Sequence, residues 1–344
     1  MGSTPARRVL AGSLVLGGVV AGATIAHHVA RRRPLLAPVA AELRHPFLYL
    51  DMTVANDRML RIGRRAIAMP RPVRAGVSVR DERLPADDDG PGPRVVVYEP
   101  AQRTRPSGAV VWIHGGGLIM GTPEQAHDWC SRLADELGIV VASVDYRLAP
   151  EHPYPAAVVD CHRALRWVAD HADELGVDPD RIAVGGDSAG GGLAAATCLR
   201  ARDLDGPAVA FQLLNYPMLD DRTTLHDDHE GRGVFVWTNA SNRFGWASYL
   251  GAVPSPVTDA HPHAVPARAD DLAGLPPAWI GVGDLDLFYA EDVDYAERLA
   301  AAGVACTLHV EPAMYHGADA VVGTTPSMRA YRDAMVDAVR AAIG

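Results

Sequence analysis

From Arg94 onward, short apolar runs alternate with longer stretches in which apolar residues recur every three or four positions. The short runs are RVVVYEP from Arg94, AVVWIHG from Ala109, IVVASVDY from Ile139, RIAVGGD from Arg181, FQLLNYP from Phe211, AWIGVGD from Ala278 and ACTLHVEP from Ala305. Most are continuously apolar rather than alternating, which suits strands buried on both faces. Helical periodicity occupies residues 124–137, 156–175, 189–201, 291–302 and 327–343. This alternation predicts an α/β fold with a mostly parallel sheet and helices on both faces.

Two stretches do not fit that rhythm. Residues 42–70 mix apolar and Arg positions in a helix-compatible way, and Pro70 and Pro72 close the pattern before the turn-rich PADDDGPGP. Residues 219–275 separate two strands and contain EGRGVFVWTNASNRFGWASYLG. A connection of that length is either disordered or functional, and its aromatic residues argue against disorder. It reads as an insertion packed over one end of the sheet. Phe235, Trp237, Phe244 and Trp246 are candidates for lining a pocket beneath it, or for building its own core.

At the N-terminus, Arg7 and Arg8 precede an uncharged run over residues 9–26, and arginines 31–33 follow. The pattern over residues 1–36 reads as a signal peptide or short membrane anchor, with Ala21-Gly22-Ala23 as a cleavage candidate. It points to a membrane-associated or exported protein with membrane contact through residues 9–26. A cytoplasmic protein with a non-functional extension is the alternative. The net charge of −10 over 344 residues excludes a nucleic-acid footprint. All basic residues are Arg. Cys130, Cys161, Cys198 and Cys306 form no metal-ligand spacing and read as small buried side chains.

One serine carries the strongest chemical signal. In RIAVGGDSAGGGLAAATCLR, a strand ends and a helix begins around Gly186-Asp187-Ser188-Ala189-Gly190. This is a G-x-S-x-G pattern in a strand–turn–helix context. Such a turn is tight enough that the residues two before and two after the serine have no room for a Cβ. The serine is left exposed beside free N–H groups at a helix start. A bland reading also exists, in which Ser188 merely caps a Gly-rich helix. A phosphate loop is disfavoured, because no G-K-[ST] follows.

A serine nucleophile needs a base and an oxyanion site. VVWIHGGGLIMG places His114-Gly115-Gly116-Gly117 directly after a strand, so that backbone N–H groups can converge without Cβ atoms between them. Gly116, Gly117 and Ala189 are the candidate oxyanion donors. His114 reads as a residue that fixes this loop. Downstream, GVGDLDLFYAED and EPAMYHGADA each follow a strand, in the order acid then histidine. His316 is the candidate base. Asp284 and Asp286 compete for the acid, and spacing alone does not separate them. His226, His229, His261 and His263 read as surface or insertion-loop residues, and His309 as a packed strand residue.

HGGG at His114, DYRLAPEHPYPAA at Asp145 and GDSAGG at Gly186, in this order, resemble the hormone-sensitive-lipase family of α/β-hydrolases, in its bacterial carboxylesterase branch. The resemblance covers roughly residues 40–344 and implies an eight-stranded, mostly parallel sheet with a helical cap. The cap would be built from N-terminal helices (37–80) and an insertion (219–275), on a core of residues 81–218 and 276–344. It favours Asp286, because DLFYAEDVDYAERL matches the family's spacing from that residue, with Glu291 at the family's Glu. Leu118, Leu287, Tyr289-Ala290 and HGAD depart from the family pattern and bear on pocket shape. DYRLAPEHPYPAA itself reads as a strand-to-helix connection pinned by Arg147 and Glu151.

The expected function is hydrolysis of short- to medium-chain acyl or aryl esters by Ser188, Asp286 and His316 through an acyl-enzyme, with no cofactor or metal. A lipase or amidase of the same fold is the alternative. A non-catalytic binding protein is a further one, which the presence of His316 disfavours. Pairing of the ACTLHVEP edge strand would allow a homodimer, as the resemblance implies.

Overall fold

The computed structural model describes residues 27–67, 69–257 and 259–344. Eight strands form one sheet: β1 (Val77–Arg83), β2 (Arg94–Pro100), β3 (Ser107–Ile113), β4 (Val140–Asp145), β5 (Val177–Asp187), β6 (Phe211–Asn215), β7 (Ala278–Gly283) and β8 (Cys306–Glu311). Their order is β1-β2-β4-β3-β5-β6-β7-β8. The β1–β2 and β2–β4 pairings are antiparallel, and every pairing from β4 to β8 is parallel. The helices are α1 (Asp57–Ile67), α2 (His127–Leu137), α3 (Ala156–Asp170), α4 (Ala172–Leu175), α5 (Ala189–Asp203), α6 (Asn239–Leu250), α7 (Tyr289–Ala301), α8 (Ala318–Val322) and α9 (Pro326–Ile343).

The period-2 alternation of side chains divides the sheet's core in two. Val95 and Val97 of β2 and Val111 of β3 face a layer that includes Val158 and Leu165 of α3, Leu193 of α5 and Leu299 of α7. Val96, Tyr98, Val110 and Trp112 face the opposite layer, with Trp129 and Leu133 of α2 and Met335 and Val339 of α9. All seven residues of β3 are buried, which explains why that strand reads as a continuous apolar run. Burying a large side chain of this kind contributes about 1.5–3 kcal/mol.

All seven anticipated strands are present, and β5 starts earlier, at Val177. The eighth, β1, falls partly inside residues 37–80, which the family resemblance assigns to cap helices, so the sheet reaches back to Val77. Its sequence VSVRDER gives no apolar run because it is an exposed edge strand. Before it, the N-terminal stretch supplies helical residues 27–32, short 3-10 turns and helix α1. The 1–36 leader assignment also overreaches. Leu36 is buried in the second core layer, and Arg32 Nε donates to Leu48 O at 3.0 Å. The apolar run 9–26 lies outside the described residues. Among those described, no helix is long and apolar enough to cross a membrane.

The N-terminal segment and the insertion meet each other. Thr53 and Thr238 share a hydroxyl–hydroxyl bond of 3.3 Å, Val54 N donates to Ser241 Oγ at 2.9 Å, and Arg32 lies over the Phe235 ring. Below them, the connection after β4 is pinned as its charges suggest. Asp160, fully buried, accepts from Arg147 N and Nε at 2.9 Å each and pairs with Arg147 Nη2 at 2.8 Å. Glu151 pairs with Arg64 of α1 at 2.6 Å. The four cysteines are free thiols, three of them buried.

Removing one side of the Arg147–Asp160 pair strands the other in a largely dehydrated site. Asp160→Ala is expected to lower stability by about 3 kcal/mol, read as a reduced urea midpoint at unchanged m value.

Candidate active site

The strand-to-helix turn between β5 and α5 holds Ser188 at φ 56° and ψ −121°, a conformation that L residues other than glycine seldom adopt and that costs about 1–3 kcal/mol. It is held in place by Ser188 N donating to Asn215 O at 2.8 Å, and by Gly192 N and Met218 N donating to Ser188 O at 3.0 Å each. The flanking glycines are required by backbone contact. A Cβ at Gly190 would stand 2.1 Å from Ile113 O, and one at Gly186 would stand 2.5 Å from both Ile113 O and Gly190 O. Ser188 makes no side-chain cap bond to α5, which removes the helix-cap reading.

Its hydroxyl is engaged elsewhere. Ser188 Oγ and His316 Nε2 are 2.9 Å apart, and His316 Nδ1 and Asp286 Oδ2 are 2.8 Å apart. A carboxylate only accepts, so Nδ1 donates to Asp286 and Nε2 accepts from Ser188. Asp286 is fully buried, and Ser188 and His316 nearly so. The second Asp286 oxygen accepts from Phe288 N at 3.0 Å. Asp284 points elsewhere and takes Ala313 N at 2.7 Å, bracing the loop that carries His316. The pairing that spacing left open is thus assigned to Asp286 by direction.

Residues that the sequence reading did not single out complete the surroundings of His316. The Tyr216 ring lies 4.7 Å from the imidazole and the Phe288 ring 5.2 Å from it at 87°. The Tyr216 hydroxyl donates to Asp319 at 2.8 Å, and Arg332 pairs with the other oxygen of that carboxylate at 3.2 Å. Tyr216 follows β6 and Phe288 follows the acid, so only three-dimensional proximity reveals either.

His114, fully buried, is stacked on Tyr146 with centroids 4.2 Å apart, and its Nδ1 donates to Gly115 O at 2.8 Å. Burial pushes its pKa down to about 4. It fixes the glycine loop as a neutral ring. Gly116 and Gly117 have φ values of 128° and 63°, and no described residue accepts from the N–H groups of Gly116, Gly117 or Ala189. Trp237 covers this loop: a Cβ at Gly117 would lie 2.0 Å from its indole. Phe235 packs on Tyr315, whereas Trp246 packs on Tyr249 in the core. His263, within the insertion, is buried, with Nε2 2.7 Å from Asp203.

The chain belongs to the α/β-hydrolase fold family. That family matches over residues 110–320. Esterase LipI of Mycobacterium tuberculosis is 41% identical over 225 residues, spanning 63% of this chain and 68% of that protein. Ethyl acetate hydrolase of Pseudomonas putida is 33% identical over 234 residues, spanning 66% and 72%. The solved structure named Bacterial Heroin Esterase superposes with a TM-score of 0.81 at 37% identity, covering 89% of this chain and 98% of that one. The chain spans about two thirds of the length of the curated relatives it matches. Within the α/β-hydrolase fold, this protein is a carboxylic-ester hydrolase. Among the described residues, no His, Cys, Asp and Glu cluster suited to a metal is present.

Two further carboxyls lie just past Asp286, on α7. Glu291 is buried and accepts from Leu219 N at 2.7 Å and Asp220 N at 3.1 Å, so it fastens the base of the insertion. Asp292 is fully buried, and among the described residues neither of its oxygens has a hydrogen-bond partner. Burial first, then the neighbouring Glu291 and Asp286, push its pKa well above 3.8. The unfolded chain releases this proton near the ordinary value and the folded chain holds it, so stability is lost as pH rises above about 4. Asp292→Asn is expected to be more stable than wild type, by a margin that widens from pH 5 to pH 8 in parallel urea titrations.

Proposed function

We propose that the protein hydrolyses small carboxylic esters by a two-step serine mechanism, and the observation that carries this is the continuous Ser188–His316–Asp286 hydrogen-bond chain. His316 Nε2 takes the Ser188 proton as Oγ attacks the ester carbonyl. The N–H groups of Gly116, Gly117 and Ala189 receive the negative charge that develops on the carbonyl oxygen. Collapse of the tetrahedral intermediate breaks the bond to the alkoxy oxygen, and His316 returns the proton to the departing alcohol. A water molecule then gives its proton to His316 and attacks the acyl-enzyme, releasing the acid and regenerating Ser188. Asp286 holds the tautomer and balances the imidazolium charge.

The substrate range follows from what lies above the serine. Trp237 seats its indole on Gly117, and Gly245 of α6 approaches Gly117 O so closely that a Cβ there would stand 2.8 Å away. The space above the oxyanion site is bounded, which favours short or medium acyl chains and compact aryl alcohols over long-chain lipids. The relative named for ethyl acetate is in keeping with that size.

Initial rates on p-nitrophenyl acetate, butyrate, octanoate and palmitate are the direct test. Wild type is expected to favour the shorter esters. Ser188→Ala, His316→Ala and Asp286→Asn are each expected to lose about 10⁴-fold in kcat, and Asp284→Asn far less. A wild type no faster than Ser188→Ala on every ester would refute the mechanism. Trp237→Ala is expected to move the chain-length optimum upward; an unchanged optimum would leave Trp237 as packing only.

A further inference from the structure

The charge of the chain is unevenly placed. Residues 27–76 hold ten arginines against three acids, Glu42, Asp51 and Asp57, although the whole chain carries −10. Helix α1 concentrates this excess. Its inner side is Leu60, buried, with Gly63 facing Met120 and Arg64 donating to Ile119 O at 2.8 Å. The inner side therefore rests on the loop that continues from the oxyanion glycines.

Among the described residues, the outer side is exposed to solvent. Met59 and Ile62 are 41% and 53% exposed, and Arg58, Arg61 and Arg65 flank them, all exposed. Among the described residues, none of these three guanidiniums pairs with a carboxylate. At 100° per residue, the arginines occupy one arc of the helix and Met59, Ile62 and Ala66 the adjoining arc. A helix with apolar residues beside unpaired arginines suits the boundary of an anionic bilayer, where the apolar side chains enter the acyl region and the guanidiniums reach the headgroups. A protein partner with an acidic surface would not need the exposed Met59 and Ile62, and a purely apolar partner would leave three charges buried.

The chain outside the described residues supports the same occupant. The uncharged run 9–26 joins the fold at residue 27, where His28 bonds to Tyr49 O at 2.7 Å. Leu50, the next residue, is 55% exposed. We propose that the outer face of α1 is a docking surface for membranes containing anionic lipid. Docked this way, the membrane contacts the helix that braces the loop after the oxyanion glycines.

The test is vesicle flotation of the full-length chain on phosphatidylcholine alone and on phosphatidylcholine with phosphatidylglycerol, at low and high salt. Wild type is expected to float with the anionic vesicles and to be released by salt. At low salt, Arg58→Ser, Arg61→Ser and Arg65→Ser together are expected to weaken that binding by about tenfold or more, and Met59→Ser with Ile62→Ser to weaken it as well. Both variants are expected to hydrolyse p-nitrophenyl acetate as wild type does, which reports an intact fold. Equal binding to both vesicle types, or no binding, overturns the proposal. Variants that float like wild type also overturn it, since residues 9–26 alone would then account for attachment. A variant whose main effect is on oligomeric state would assign the face to a second copy of the chain and overturn it equally.

Discussion

Contact of backbone on backbone, where β5 turns into α5, is the constraint on which the site rests. Gly186 and Gly190 lie within contact distance of Ile113 O at the end of β3. This brings two strand ends together with no side chain between them. Ser188 is thereby forced into its strained conformation, and the glycine loop that continues from β3 is brought alongside it. Gly115 shows the closeness from the other side, since a Cβ there would stand 2.9 Å from Asp187 O. Ser188 and the glycine loop, whose N–H groups have no acceptor among the described residues, are placed by one contact. Disturbing it displaces both at once.

The neighbouring parallel strands extend this logic. In register, Gly186 pairs with Leu214 and Leu214 with Ile280, so β5, β6 and β7 end at similar heights, with β8 beside them. The loops after β7 and β8 bring Asp286 and His316 to the level of Ser188. Each contributes one residue to a hydrogen-bond chain whose members come from separate parts of the sequence. This is why strand order carries the chemistry, and why catalytic groups in such sheets collect at the carboxyl ends of the strands.

Much of this was legible in the sequence, for identifiable reasons. The central strands are buried on both sides and so announce themselves as apolar runs. The glycines around Ser188 and after His114 are legible because no other residue fits those contacts. β1 was not legible, because an exposed edge strand such as VSVRDER needs no apolar side chains. The contest between Asp284 and Asp286 could not be settled by spacing from the residues alone, since both lie in the loop after β7. Their carboxyls point to different partners, His316 in one case and Ala313 N in the other. Asp292 was not legible because burial of a polar side chain inside a helix leaves no local signature in sequence.

The insertion adds a constraint that the sheet cannot supply. Residues 232–237 cross all three loops of the site. Arg232 donates to Asp284 O at 3.0 Å, and Gly233 N donates to Leu285 O at 3.1 Å. Phe235 meets Tyr315, and Val236 lies 3.8 Å from where a Cβ would stand on Gly317. Trp237 ends the crossing on Gly117. Val236 adopts a φ of 64° along the way, which is unfavourable for a β-branched residue. Contacts on both sides of it must outweigh that cost for the crossing to persist. The segment therefore couples acid loop, histidine loop and glycine loop through side chains rather than through the sheet. It is fastened from outside by Arg32, Thr53 and Val54, which lie in the N-terminal stretch that also carries α1. A disturbance of that stretch would reach the catalytic loops through the strap, while the sheet beneath stayed as it is.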